Sequence, residues 1–107
     1  MFSGLSEELA NFFTALSAHD VDAALGFFAE DACVADERRL WQGKAAVREW
    51  LSHTSATYRP RYTLISTHGG EVPRVDVRVE GQFPNSPLHF SFAFTVIDSH
   101  IARLEIS

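Results

Sequence analysis

The spacing of apolar residues changes once along this chain, and the change separates helices from strands. Leu9, Phe12, Phe13 and Leu16 recur at i, i+3, i+4 and i+7, which is one face of a helix. Ser3 or Ser6 can cap that helix, and Glu7 and Glu8 suit the positive end of its dipole. Asp20 is placed to cap a second helix with Val21, Ala24, Leu25 and Phe28 inward. A short strand is predicted over 32–36. Gly43 precedes a third helix with Val47, Trp50 and Leu51 on one face. Beyond Arg61 the period falls to two. Tyr62 and Leu64 alternate with Arg61, Thr63 and Ile65, and Val75, Val77 and Val79 alternate with Arg74, Asp76, Arg78 and Glu80. Phe90, Phe92, Phe94 and Val96 alternate with His89, Ser91, Ala93 and Thr95. These are half-buried strand patterns. Gly69-Gly70 marks a turn, Pro84-Asn85-Ser86-Pro87 a break, and Asp98-Ser99 a hairpin turn before a last strand over 101–106. Helices first and strands later predict an α+β fold: three N-terminal helices on one face of a mostly antiparallel sheet.

Composition narrows the class. A length of 107 residues suits a single domain spanning 1–107. The net charge of -5 argues against a nucleic-acid or anionic-membrane partner. No segment nears the ~20 apolar residues of a membrane span. The first residues lack the basic start and apolar run of a secretory leader. The single cysteine excludes an internal disulfide and suits a reducing compartment. A cytoplasmic location is the resulting expectation.

The order of motifs resembles a known family. The stretch 15–51 runs from Ala15-Leu16-Ser17-Ala18-His19-Asp20, through Glu30-Asp31 and a strand ending in Asp36, to Gly43-Lys44-Ala45-Ala46-Val47. Gly81-Gln82-Phe83-Pro84-Asn85-Ser86-Pro87-Leu88 and Ile101-Ala102-Arg103-Leu104 look like two closing strands. Together they resemble the nuclear-transport-factor-2-like superfamily, in its SnoaL-like and ketosteroid-isomerase-like branch. The resemblance implies a cone-shaped fold, its curved sheet and helices enclosing a pocket. It also implies a homodimer formed through the outer face of the sheet.

Asp36 is the leading candidate for chemistry. Asp31-Ala32-Cys33-Val34-Ala35-Asp36 is similar to the isomerase stretch that ends in a proton-shuttling aspartate. A carboxylate on a pocket wall loses water, its pKa rises, and it becomes a better base near neutral pH. The opposing reading places it with Glu37, Arg38 and Arg39 in a solvated charge cluster. Ketosteroid isomerases add a tyrosine on the first helix and a protonated acid on a late strand. Here the corresponding helix position is Phe12, and the strand over 88–96 offers only His89 and Ser91. His89 is the second catalytic candidate, conditional on a bulge that turns it inward. An Asp-Arg-Asp set of the epoxide-hydrolase kind would need Asp36 with Asp76 and Arg78, yet the latter two share a polar strand face. Phe12, Trp41, Trp50, Tyr58, Tyr62, Phe90 and Phe92 are the candidates to contact a small apolar ligand. The five histidines make no metal-binding spacing, so neither a metal nor another cofactor is expected. Cys33 lies in an apolar run and reads as a buried, inert thiol. The function expected is acid/base isomerisation, cyclisation or dehydration of an apolar molecule. The alternative is a ligand-binding or protein-interaction module without catalysis.

Overall fold

In a computed structural model, which describes residues 5–107, the chain folds as α1 (Glu7–Ser17), α2 (Val21–Leu25), β1 (Phe28–Asp36), β2 (Arg39–Gln42), α3 (Lys44–Tyr58), β3 (Arg61–His68), β4 (Arg74–Glu80), β5 (Leu88–Ile97) and β6 (His100–Ile106). The six strands form one open, curved sheet in the order β2-β1-β6-β5-β4-β3. Every neighbouring pair is antiparallel except β1 with β6. Register shifts interrupt β1 between Phe28 and Cys33, β3 between Leu64 and Ser66, and β5 between Thr95 and Val96. Such bulges bend strands and increase their twist.

Local signals account for most element ends. The Ser6 hydroxyl accepts from Leu9 N–H at 3.3 Å, and the Asp20 carboxylate accepts from Ala23 N–H at 3.1 Å. Ser3, the other candidate cap, lies outside the described residues. Asp98 and Ser99 both have positive φ, as a two-residue hairpin turn requires.

Three expectations need correction. The sequence predicts one strand between the second and third helices, and two, β1 and β2, separate α2 from α3. Phe28 belongs to β1 rather than to the second helix, which stops at Leu25 with Gly26 as its C-cap. The strand predicted over 32–36 therefore begins four residues earlier, and Glu30 and Asp31 lie exposed within it. The third correction concerns Glu37 and Arg38, which form the turn of the β1–β2 hairpin at φ 53° and 63°. Their charge cluster conceals strand β2, a short edge strand with no Asn-Gly signal before it.

The core lies between the sheet's inner face and the helices. Phe12 and Phe94 are fully buried, and the Phe12 ring meets Phe13, Phe28 and Phe94 edge-on at 5.5, 5.6 and 5.8 Å. Each such pair adds about 0.5–1.5 kcal/mol beyond area burial. Helix α3 carries the chain from β2 at one sheet edge to β3 at the other, burying Val47, Trp50 and Leu51. That crossing brings Trp50 to Asp36 at the end of β1.

Gly81 follows β4 where the chain passes the end of α3. A Cβ there would stand 2.5 Å from the Tyr58 carbonyl oxygen and 2.9 Å from the Phe83 ring. The same carbonyl accepts from Gln82 N–H at 2.7 Å, so it is not free to move. Gly81→Ala is expected to cost about 1–3 kcal/mol of stability. Urea unfolding measures this; a midpoint equal to the parent's would show that the backbone relaxes without cost.

Candidate functional site

At one end of the inner face the helices do not fill the space over the sheet. The result is a cavity of about 270 Å³. It is small beside typical ligand pockets of roughly 300–1,000 Å³. Its wall draws on β1, α3, β3, β4, β5 and β6 together. Tyr62, Val79, Phe92 and Trp50 form the deep part, while Glu37, Pro84 and Leu88 are exposed at its mouth. The pocket is thus open at one side, not enclosed as the sequence led us to expect.

Asp36 is the last residue of β1 and lies on the cavity wall. The period of the strand explains this. Val34 and Asp36 share the inner face, while Cys33 and Ala35 take the outer one. Trp50 Nε1 donates to Asp36 Oδ2 at 3.0 Å. Loss of water raises the Asp36 pKa above the ordinary carboxylate range. The Trp50 hydrogen bond opposes that rise, the Glu37 charge adds to it, and the Glu37 backbone N–H opposes it. The net direction is upward. Tyr62 stands close enough for the Asp36 charge to act on it. Burial first, then that charge, raises the phenol pKa, so the hydroxyl stays protonated. Among the described residues no protein group is hydrogen-bonded to this hydroxyl. The Tyr62 ring is fixed between Phe13 and Phe92.

The remaining candidates divide between the cavity and other places. Trp50, Tyr58, Tyr62, Phe90 and Phe92 line the cavity with Asp36. Phe12 does not: it is sealed in the core among other phenylalanines. Trp41 lies beside the cavity, in an adjoining groove that it shares with Asp36, Glu49 and His53. There the Arg39 guanidinium stacks on it at 3.7 Å. His89 is exposed opposite Arg78 on the outer face, because Phe90 and Phe92 point inward and no register shift falls between 88 and 95. Asp76 is also on the outer face. Hydrogen bonds from Ser91 and Ser66, with lesser help from His68 and Arg74, hold its pKa down to about 2. Arg78 pairs with Glu80 at 2.6 Å rather than with Asp76. The sheet therefore separates Asp36 from Asp76 and Arg78, and no Asp-Arg-Asp set can form across it. Cys33 is buried and its sulfur accepts from Arg103 Nη1 at 3.3 Å.

Among the described residues, no group of three or more His, Cys, Asp or Glu side chains is placed to hold a metal ion. No described helix is long and apolar enough to cross a membrane. Sequence reasoning missed Glu37, Phe83 and Leu88 as wall residues. Phe83 and Leu88 flank the predicted break and Glu37 stood in the charge cluster, so their local sequence carried no signal for a cavity.

Comparison with known proteins fits this geometry. The SnoaL-like domain profile matches residues 9–104. The chain belongs to the SnoaL-like family. A Sinorhizobium meliloti protein provisionally described as a polyketide cyclase is 34% identical, with 96% of this chain and 95% of that one covered and a TM-score of 0.91. SalBIII, an epoxide hydrolase/cyclase-like enzyme in pyran ring formation in the polyether salinomycin, is 21% identical, with coverage of 94% and 86% and a TM-score of 0.83. An NTF2-like protein of unknown function from Cytophaga hutchinsonii is 12% identical, with coverage of 100% and 93% and a TM-score of 0.80. No functionally curated protein matches the sequence. This SnoaL-like chain thus has the nuclear-transport-factor-2-like fold.

The Asp36–Trp50 contact makes a direct prediction. Trp50→Phe keeps a ring but removes the donor that favours the charged carboxylate. The Asp36 pKa is expected to rise further, read by an NMR titration of the side-chain carboxyl carbon. An unchanged or lower value would mean that the indole does not hold the carboxylate in solution.

Proposed function

We propose that this SnoaL-like protein binds a small apolar molecule in the cavity and performs acid/base chemistry on it with Asp36 as base. The observation that carries this reading is Asp36 itself: a desolvated carboxylate held by Trp50 N–H on an otherwise mostly apolar wall. Two similar proteins, one provisionally described as a polyketide cyclase and the other a cyclase-like enzyme of pyran ring formation, support a cyclase or isomerase. The chemistry follows from the groups present. Asp36 takes a proton from a carbon beside a carbonyl, or from a hydroxyl, and becomes a carboxylic acid. Tyr62 donates a hydrogen bond to the oxygen on which charge develops. The acid then returns the proton at another atom, which isomerises the molecule, or to a departing hydroxyl, which dehydrates it. Deprotonating a hydroxyl prepares it for ring closure.

The test is deuterium exchange at the α-carbons of 2-indanone, an apolar ketone small enough for the cavity. Exchange above the buffer rate, absent in Asp36→Asn, is the expected result. Equal exchange in both proteins would sink the assignment of the base.

A second reading is a binder without turnover. It is favoured by the cavity-facing residues of β5, Leu88, Phe90 and Phe92, all of which are apolar. NMR shifts at the cavity wall with 2-indanone but no exchange would select it.

The same family likeness supports a homodimer through the outer sheet face, where Ser91, Ala93 and Thr95 lie half-buried in one chain. Light scattering is expected to give twice the chain mass. A single-chain mass at all concentrations would remove the dimer.

A further inference from the structure

The charges around the cavity all have one sign. Among the described residues, Asp36 and Glu37 are the only charged side chains on its wall, with no Lys, Arg or His beside them. The nearby basic side chains lie outside this wall. Arg39 and His53 line the adjoining groove, which shares Asp36, Glu37 and Trp50 with the cavity. There Arg39 stacks on Trp41, and the His53 ring meets Tyr58 edge-on at 5.9 Å from outside the cavity wall. Arg59 and Arg61 flank Pro60 in sequence, yet only Pro60 reaches the wall. The mouth also carries aromatic rings. Tyr58 and Phe83 meet at 5.9 Å with planes at 90°, and the Tyr58 hydroxyl donates to Glu37 Oε1 at 3.5 Å. Glu37 is held at this point by backbone in the left-handed region, which a glutamate rarely adopts.

We infer that the molecule bound here has an apolar body and a protonated amine, with the ammonium seated at the mouth against Glu37 and the Tyr58 and Phe83 rings. A cation gains from both the carboxylate and the ring quadrupoles. A carboxylate or phosphate ligand would meet two acids and no counter-charge, an arrangement that rejects it. Pairing at the mouth leaves Asp36, deeper on the wall, to act on the body of the molecule. The inference rests on the cavity being the binding site, as proposed above.

Three probes with one body and three charges test it: 2-phenylethylammonium, 2-phenylethanol and phenylacetate. Each is titrated near neutral pH into isotope-labelled protein and followed by heteronuclear NMR. The cation is expected to bind about tenfold more tightly than the alcohol, and phenylacetate most weakly. In Glu37→Gln, checked for fold by its NMR fingerprint, the cation-to-alcohol ratio is expected to fall to about threefold or less. The inference is overturned if the alcohol binds as well as the cation, if phenylacetate binds better than the alcohol, or if the ratio survives Glu37→Gln. An alcohol that binds without cation preference removes this inference alone. An alcohol that leaves Asp36, Trp50 and Tyr62 unshifted removes the cavity reading as well.

Discussion

Asp36→Asn protein is expected to fold as the parent does and to lose deuterium exchange on 2-indanone by about 10²–10⁴-fold, the usual contribution of a general base. The amide retains an oxygen to accept from Trp50 Nε1, so the wall keeps its shape while the proton acceptor is gone. The pH dependence of stability has a definite sign. Burial raises the Asp36 pKa in the folded state, so the unfolded chain is the stronger acid at this position. The folded state then binds more protons between the two pKa values, and stability falls with rising pH across that window. The contribution is fully present below the unfolded value and is lost as pH rises through the folded one. Asp36→Asn lacks this loss. Its stability relative to the parent should therefore improve as pH rises through the carboxylate range and level off above it. Urea unfolding across that range measures it. An advantage that grows on acidification instead would mean that the folded protein favours the charged form.

Phe12→Ala is expected to remove about 3–5 kcal/mol, the range for truncating a sealed phenylalanine. Phe12 has no exposed surface, and its ring meets four other phenylalanines edge-on. Typical domain stabilities are about 5–15 kcal/mol, so much of the population could unfold. Phe12→Tyr separates packing from chemistry. It adds the hydroxyl that ketosteroid isomerases carry on their first helix, but here it enters closed core and not the cavity. The expected result is a loss of about 1–3 kcal/mol with no gain in exchange on 2-indanone. A Phe12→Ala midpoint close to the parent's would show that this ring is not sealed in solution.

The two halves of the chain were legible to different depths. The alternation in 74–80 and 88–96 identified β4 and β5 and their inward residues, because a strand with one buried face must repeat every two residues. The caps at Ser6 and Asp20 were legible because a helix end needs a partner for its free N–H groups. Strand β2 was not legible. Its pairing with β1 depends on a turn made by Glu37 and Arg38, whose types disfavour that backbone. Phe28 misled for a related reason: its place in β1 depends on pairing with Ile101, far along the chain.

Local sequence thus determined most of the helical faces, the strand period and the sharing of one side of β1 by Val34 and Asp36. Those features follow from backbone geometry that each segment carries with it. Only the tertiary structure decided what Asp36 meets. Trp50 reaches it because α3 crosses from β2 to β3, and the cavity exists because the helices stop short of covering one end of the sheet. The same assembly sent Phe12 into the core and His89 to the outer face. An apolar residue on a helix face can fill a core or line a cavity with the same spacing, and only the gap left between packed elements tells them apart.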